Sequence, residues 1–238
     1  MNPVTEALRD EGHARLTAAE VAALAAASAD GLPALAPSWN ALPQDLYLRD
    51  DGRYRSRRHA CFVQDLDLPA LVRAPHRAHW QPTTYNALHG GLERWFEPID
   101  DEVASSPAWT RLVTALGEVF AVLRPVPRWY IEAHQFRIDT ASGIGRPTPE
   151  GAHRDGVDYI AIVLVDRMRV IGGETRVFPA DSGQGVRFTL AEPWSALLLD
   201  DARVVHETTP IQSATSETGW RDTLVLTYRA AGFQSPPR

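Results

Sequence analysis

His153 and Asp155 stand two residues apart at the head of a long stretch, Gly151 to Tyr228, that opens as GAHRDGVDYIAIVLV. On an extended chain, side chains two apart share a face, so an imidazole and a carboxylate there can bind one ion from adjacent positions. His206 can supply a second imidazole. It closes the apolar run SALLLDDARVV ahead of Thr208-Thr209-Pro210 and is expected at a strand end. Two histidines and one carboxylate on one face leave the opposite coordination positions open, which suits a non-haem Fe(II) centre that handles dioxygen. An H-x-D triplet alone also arises by chance, so the weight falls on Arg221, fifteen residues after His206 in RDTLVLTY. Thr223 lies two residues further and hence on the same face. A guanidinium grips a carboxylate through two parallel hydrogen bonds, and a hydroxyl adds a donor. A dicarboxylate that chelates the metal at one end would be held this way at the other. The bland alternative for Arg221 is a surface salt bridge.

The elements that must position these residues are legible in outline. Residues 3 to 30 read as helix, with Thr17 and Glu20 forming a capping box. LYLRDDGRYRSRRHACFVQ reads as a strand, a turn at Asp51-Gly52 and a second strand. Its Arg53, Arg55, Arg57 and Arg58 could form a basic rim, although a solvated face is the more ordinary explanation. His76, His79 and His89 are close in sequence, but a loop of histidines without cysteines is a weak zinc signal. Residues 101 to 124 read as a second helix with Leu112, Leu116, Val119, Phe120 and Leu123 on its core face, ended by Pro125 and Pro127. RWYIEAHQFRID reads as a strand, and short strands and turns follow as far as Tyr228. The tail AAGFQSPPR is expected to be loose. Helices first and then six to eight strands imply a mainly β barrel or sandwich buttressed by helices.

Composition narrows the function. The 238 residues fit a single domain, 1–238, and show no linker. A formal charge of −6 argues against a general nucleic-acid or membrane-surface partner. Every basic side chain except histidine is arginine. Cys61 is the only cysteine, which points to a reducing, cytoplasmic setting. The N-terminal stretch does not read as a secretory signal, and no apolar run is long enough to span a bilayer. Nothing in the sequence bears on oligomeric state.

The spacing H-x-D, a distant H, then R-x-T resembles the Fe(II)/2-oxoglutarate-dependent dioxygenases. RWYIEAHQFRI, HRDGVDYIAIVLV, GGETRVF, DARVVHETTPI and RDTLVLTYR resemble the bacterial free-amino-acid hydroxylases of the L-isoleucine dioxygenase type, as do DGRYRSRRHACF and QPTTYNALHGGLERWFEPI upstream. The similarity spans roughly residues 45 to 230, leaving 1–44 as a helical extension. It implies a double-stranded β-helix (jelly-roll) core over about 128–230. It implies Fe(II) on His153, Asp155 and His206, with these three carrying the catalysis. It also implies 2-oxoglutarate with its C5 carboxylate on Arg221 and Thr223, and dioxygen as the second co-substrate. The reaction it implies is hydroxylation of the side chain of a free L-amino acid, coupled to conversion of 2-oxoglutarate to succinate and carbon dioxide and stimulated by ascorbate. Asp155 stands where related halogenases carry a small residue, which favours hydroxylation.

A free amino acid needs a cation for its carboxylate. Gln135 and Arg137 share one face of EAHQFRI and are the preferred pocket residues, with Tyr85, Asn86, Arg53 and Tyr54 as further candidates. Two alternatives keep part of this reading. One is the same chemistry on a peptidyl residue or another small metabolite, sulfoxidation included. The other is a cupin-like protein that binds metal and ligand without turnover.

Overall fold

The computed structural model describes residues 2–237 apart from 29, 30, 50, 51, 69, 87, 89 and 182. The expected turn residue Asp51 and the histidine His89 therefore lie outside the described residues. The N-terminal region is not one helix. It folds as α1 (Pro3–Glu11), β1 (His13–Leu16), α2 (Ala18–Leu24) and a 3₁₀ helix (Pro33–Ala41). Gly12, with φ of 75°, stops α1 in the left-handed conformation that glycine adopts at no steric cost. Thr17 and Glu20 then cap α2 reciprocally, as a capping box should.

Next come β2 (Arg55–Asp65), β3 (Ala70–Arg73), α3 (Asp101–Ala104) and α4 (Pro107–Leu123). The strand expected before residue 50 is absent among the described residues 46–49; Gln44 makes only an isolated bridge to Ser56. The helix expected over 101–124 is split, because Ser106 caps a new helix whose first residue is Pro107. The second half contains β4 (Arg128–Asp139), β5 (Tyr159–Met168), β6 (Val170–Gly172), β7 (Thr175–Pro179), β8 (Val186–Phe188), β9 (Ala196–Asp200), β10 (Val204–Thr208), β11 (Ile211–Ser213) and β12 (Trp220–Arg229).

The strands form two facing layers. One is a seven-stranded sheet in the order β1-β9-β5-β12-β4-β2-β3; the other consists of β10-β7-β8 and β11-β6. Every named pairing is antiparallel. This is the double-stranded β-helix the sequence resemblance implies. Period-two alternation in β5 explains its wholly apolar run. Ala161 and Val163 face the helices, packing with Trp109, Leu112, Leu116 and Phe120 of α4. Ile160, Ile162 and Leu164 face the small sheet, packing with Val177 and Val204. Burying an aromatic such as Trp109 contributes on the order of 3 kcal/mol, so α4 clamps one face of the sheet and leaves the other for the cavity.

Candidate active site

β4 and β12 lie side by side in the large sheet, and their cavity-facing residues follow from the same alternation. On β12, Leu224, Leu226 and Tyr228 enter the helical core, so Arg221, Thr223, Val225 and Thr227 face inward. On β4, Trp129, Ile131 and Ala133 pack against the helices, so His134, Phe136 and Ile138 face inward. The cavity between the sheets has a volume of about 880 Å³, counting solvent at its mouth. His153, Asp155 and His206 line it together with Arg221 and Thr223.

The two histidines are tied through the backbone. His153 N–H donates to His206 O and His206 N–H donates to His153 O, each at 3.0 Å. His206 lies in the middle of β10 instead of closing one long strand, because Asp200 Oδ1 accepts the Ala202 N–H and turns the chain between β9 and β10. One donor atom each of His153, Asp155 and His206 can be chosen so that all lie within 4.8 Å of one another. His153 Nδ1 donates to Gly151 O at 2.9 Å, which leaves Nε2 with its lone pair, 3.8 Å from Asp155 Oδ1. Burial opposes the charged form of His153, but the carboxylates of Asp155 and Glu150 outweigh it and raise the pKa. Burial and the neighbouring His153 push His206 well below the usual imidazole range.

Several residues that the sequence did not single out hold Asp155. Gln81 Nε2 donates to Asp155 Oδ1 at 2.9 Å. Gln81 Oε1 accepts from Asn86 Nδ2 and from Arg94 Nη2. Asp201, fully buried, accepts the backbone N–H groups of Asp155, Gly156 and Val157. Burial and the Asp155 charge push the Asp201 carboxyl up to about 6 against those donors. Gln234 Nε2 donates to the carbonyls of Asp155 and Gly156, and Phe233 packs edge-on to Tyr130. The tail expected to be loose is thus docked as far as Gln234, with Ser235, Pro236 and Pro237 exposed.

Arg221 is 3 % exposed, and its Nε and Nη2 have no hydrogen-bond partner among the described residues. Burial and nearby Arg167 lower its pKa to about 10, with Asp222 opposing, so it is charged at neutral pH. A buried cation with unmet donors is costly without an anion. The donor set therefore fits the groups implied by sequence: two imidazoles and a carboxylate for Fe(II), and an unpartnered guanidinium for a carboxylate.

The substrate-side expectations fare differently. Gln135 and Arg137 point away from the cavity. Gln135 Nε2 donates to Ser38 Oγ in the 3₁₀ helix, and Arg137 pairs with Asp222 at 2.6 Å. Arg53 is exposed, and Tyr54 packs with Leu48, Ile138 and Ile211 outside the cavity lining. Tyr85 is on the surface with its ring over Gly156, where an added Cβ would come within 2.5 Å of it. Asn86 alone of the six lines the cavity. Arg55 and Arg57 are buried in the cavity wall at 6 % and 3 % exposure, so the solvated-face reading fails for them. Of the histidines that give only a weak zinc signal, His76 bonds Phe96 O and His79 bonds Glu132.

The family description "2OG-Fe dioxygenase" matches residues 36–227, most of the chain, including His153, Asp155, His206, Arg221 and Thr223. The chain belongs to this family. It is therefore a dioxygenase of the kind that uses Fe(II) and 2-oxoglutarate. A crystal structure of a bsmA homolog from Methylobium petroleophilum is 55 % identical, with a TM-score of 0.94 over 98 % of this chain and 94 % of that one. L-isoleucine-4-hydroxylase from Bacillus thuringiensis is 24 % identical over 190 residues, covering 76 % of this dioxygenase and 78 % of the relative. The crystal structure of IDO from the same organism is 18 % identical and has a TM-score of 0.76 over 95 % of this chain and 94 % of that one, a likeness of fold. No helix among the described residues is long and apolar enough to cross a membrane.

Proposed function

We propose that this dioxygenase hydroxylates the side chain of a free L-amino acid, with Fe(II) on His153, Asp155 and His206 and 2-oxoglutarate anchored by Arg221 and Thr223. One observation carries the reading: the three candidate ligands share a cavity with a buried guanidinium whose donors are unmet. When bound, the iron and 2-oxoglutarate supply the oxidising chemistry, with succinate and carbon dioxide as co-products. The chain's own residues supply position. The Gly151 carbonyl fixes the His153 tautomer. Gln81 and Asp201 hold Asp155 from its side chain and its backbone. Arg221 takes a carboxylate at the far end, with the Thr223 hydroxyl beside it. Ile162 and Val225 give the cavity an apolar wall against which an aliphatic side chain can lie. The relative named L-isoleucine-4-hydroxylase supports an amino acid as the substrate class.

The test is a panel of free L-amino acids incubated with Fe(II), ascorbate and 2-oxoglutarate, read by mass for a gain of one oxygen and by succinate release. The reading expects matched product and succinate with at least one amino acid, with ascorbate increasing the yield. Succinate release that no member of the panel increases would sink it.

A further inference from the structure

The cavity has a second cationic wall, away from Arg221. Arg55, Arg57 and Arg94 all line it, and each is at most 6 % exposed. Among the described residues only Asp45 lies within ion-pair distance of any of them, 2.8 Å from Arg55 and 3.8 Å from Arg57. Three buried donors have no hydrogen-bond partner among the described residues: Arg55 Nη2, Arg57 Nε and Arg94 Nε. Unmet donors on buried cations are the complement of an anion.

Arg57 is also held rigidly. Its guanidinium sits over Phe96 and Phe136, 3.7 and 4.4 Å from the ring centroids. Nη2 donates to His134 Nδ1 at 2.7 Å. His134 belongs to a buried group with His59, His79 and Glu132 whose geometry could suit a metal. The hydrogen bonds favour another role. Glu132 Oε2 accepts from both His59 and His79, and His134 Nδ1 is used by Arg57. That network orients a cation and leaves the neutral His134 with its remaining proton on Nε2.

The second wall is distinct from the 2-oxoglutarate anchor. Across the sheet, Arg57 of β2 pairs with Phe136 of β4, which pairs with Thr223 of β12. Two strand spacings, about 10 Å, therefore separate the backbones of Arg57 and Thr223. The Phe136 side chain rises between them. The two groups thus stand on strands two apart in the sheet. The wall is nevertheless joined to the metal-ligand candidates, because Arg94 Nη2 bonds Gln81, which bonds Asp155.

We infer that Arg57 and Arg94 form the subsite for the substrate's carboxylate, so that this enzyme selects free carboxylic acids over their amides. The inference rests on the amino-acid reading above and identifies the residues that enforce it. The Fe(II)·2-oxoglutarate enzyme, kept anaerobic, is titrated with free L-amino acids and their carboxamides and followed by its visible absorbance. Binding to charged donors predicts a preference for acid over amide of roughly ten- to one-hundred-fold. Arg57→Gln should lose that preference while the affinity for 2-oxoglutarate stays within about twofold. Because Arg57→Gln strips Asp45 of a partner, the double variant Asp45→Asn/Arg57→Gln is measured beside it, with thermal melting as the check on folding. Arg94→Gln should weaken acid binding in the same sense. Folded variants that keep the wild-type preference would overturn the subsite, as would equal binding of acids and amides, or no binding of any acid, by the wild type. Acids that bind with the expected preference but are not hydroxylated would support the subsite and overturn only the hydroxylase reading.

Discussion

Gln81 offers a test of the metal site that does not pass through turnover. Its amide donates to Asp155 Oδ1 at 2.9 Å and accepts from Asn86 and Arg94 at 3.1 and 3.0 Å. At 7 % exposure, water cannot readily replace those bonds. Gln81→Leu keeps the approximate volume and removes all three. Asp155 then loses the one side-chain donor on its carboxylate among the described residues, and its rotamer is no longer held for the ion. Loss of a partner that orients a metal ligand typically costs 10- to 100-fold in metal affinity, about 1.4 to 2.7 kcal/mol. The same change strands a donor on buried Arg94, at about 1–3 kcal/mol of stability. For a chain of this length that lowers Tm by roughly 2–12 °C. Anaerobic Fe(II) titration against a competing chelator measures the first effect, and melting of the metal-free protein measures the second. A variant that melts lower but binds Fe(II) within twofold of wild type would refute the orienting role and reduce Gln81 to a packing residue.

Three further outcomes follow from the geometry. Arg221→Gln should raise the KM for 2-oxoglutarate by roughly 30- to 1000-fold, the cost of about 2–4 kcal/mol for losing one partner of a buried ion pair, while the amino-acid KM moves little; an unchanged 2-oxoglutarate dependence would place the anchor elsewhere. Gln135→Ala removes the bond to Ser38 and should cost about 1 kcal/mol of stability with no change in amino-acid KM, whereas a raised KM would return Gln135 to the pocket. Burial lowers His79 to about 4, against the pull of Glu132, and lowers His59 and His134 as well. Unfolded, these imidazoles titrate near 6.5, so between about 6.5 and 4 the unfolded chain binds more protons and stability falls as pH falls. His79 alone should cost about 2 kcal/mol on going from pH 7 to 5, read as a shift of the urea midpoint that shrinks in His79→Asn; a midpoint independent of pH would show that the cluster is already charged.

The chemistry was more legible than the walls around it, for a physical reason. His153, Asp155, His206, Arg221 and Thr223 are recognisable because their types and spacing are dictated by the groups they would hold, and the cavity collects all five. The N-terminal helices look continuous in sequence because alanine content outweighs the single signal of Gly12, whose positive φ ends α1. The break between β9 and β10 was also written locally, as the Asp200 turn.

The buried arginines were not readable in this way. Arg55 and Arg57 look like surface charges until Asp45, Phe96 and Phe136 arrive from three other parts of the chain to pair with and cover them. β4 shows how alternation itself can mislead. Trp129, Ile131 and Ala133 set the helix-facing parity, and that parity carries Gln135 and Arg137 to the helix side. The apolar residues switch parity at Phe136 and Ile138, because the strand passes from beneath α4 to a place where its inner face lines a cavity. Its outer face there meets polar partners, Ser38 and Asp222. The period survives while the polarity on each side reverses. A site built on a strand will often carry this mark: the polar residues turned inward are those that continue the parity opposite to the strand's own core, as Glu132 and His134 do here, not the ones that look most suited to a ligand.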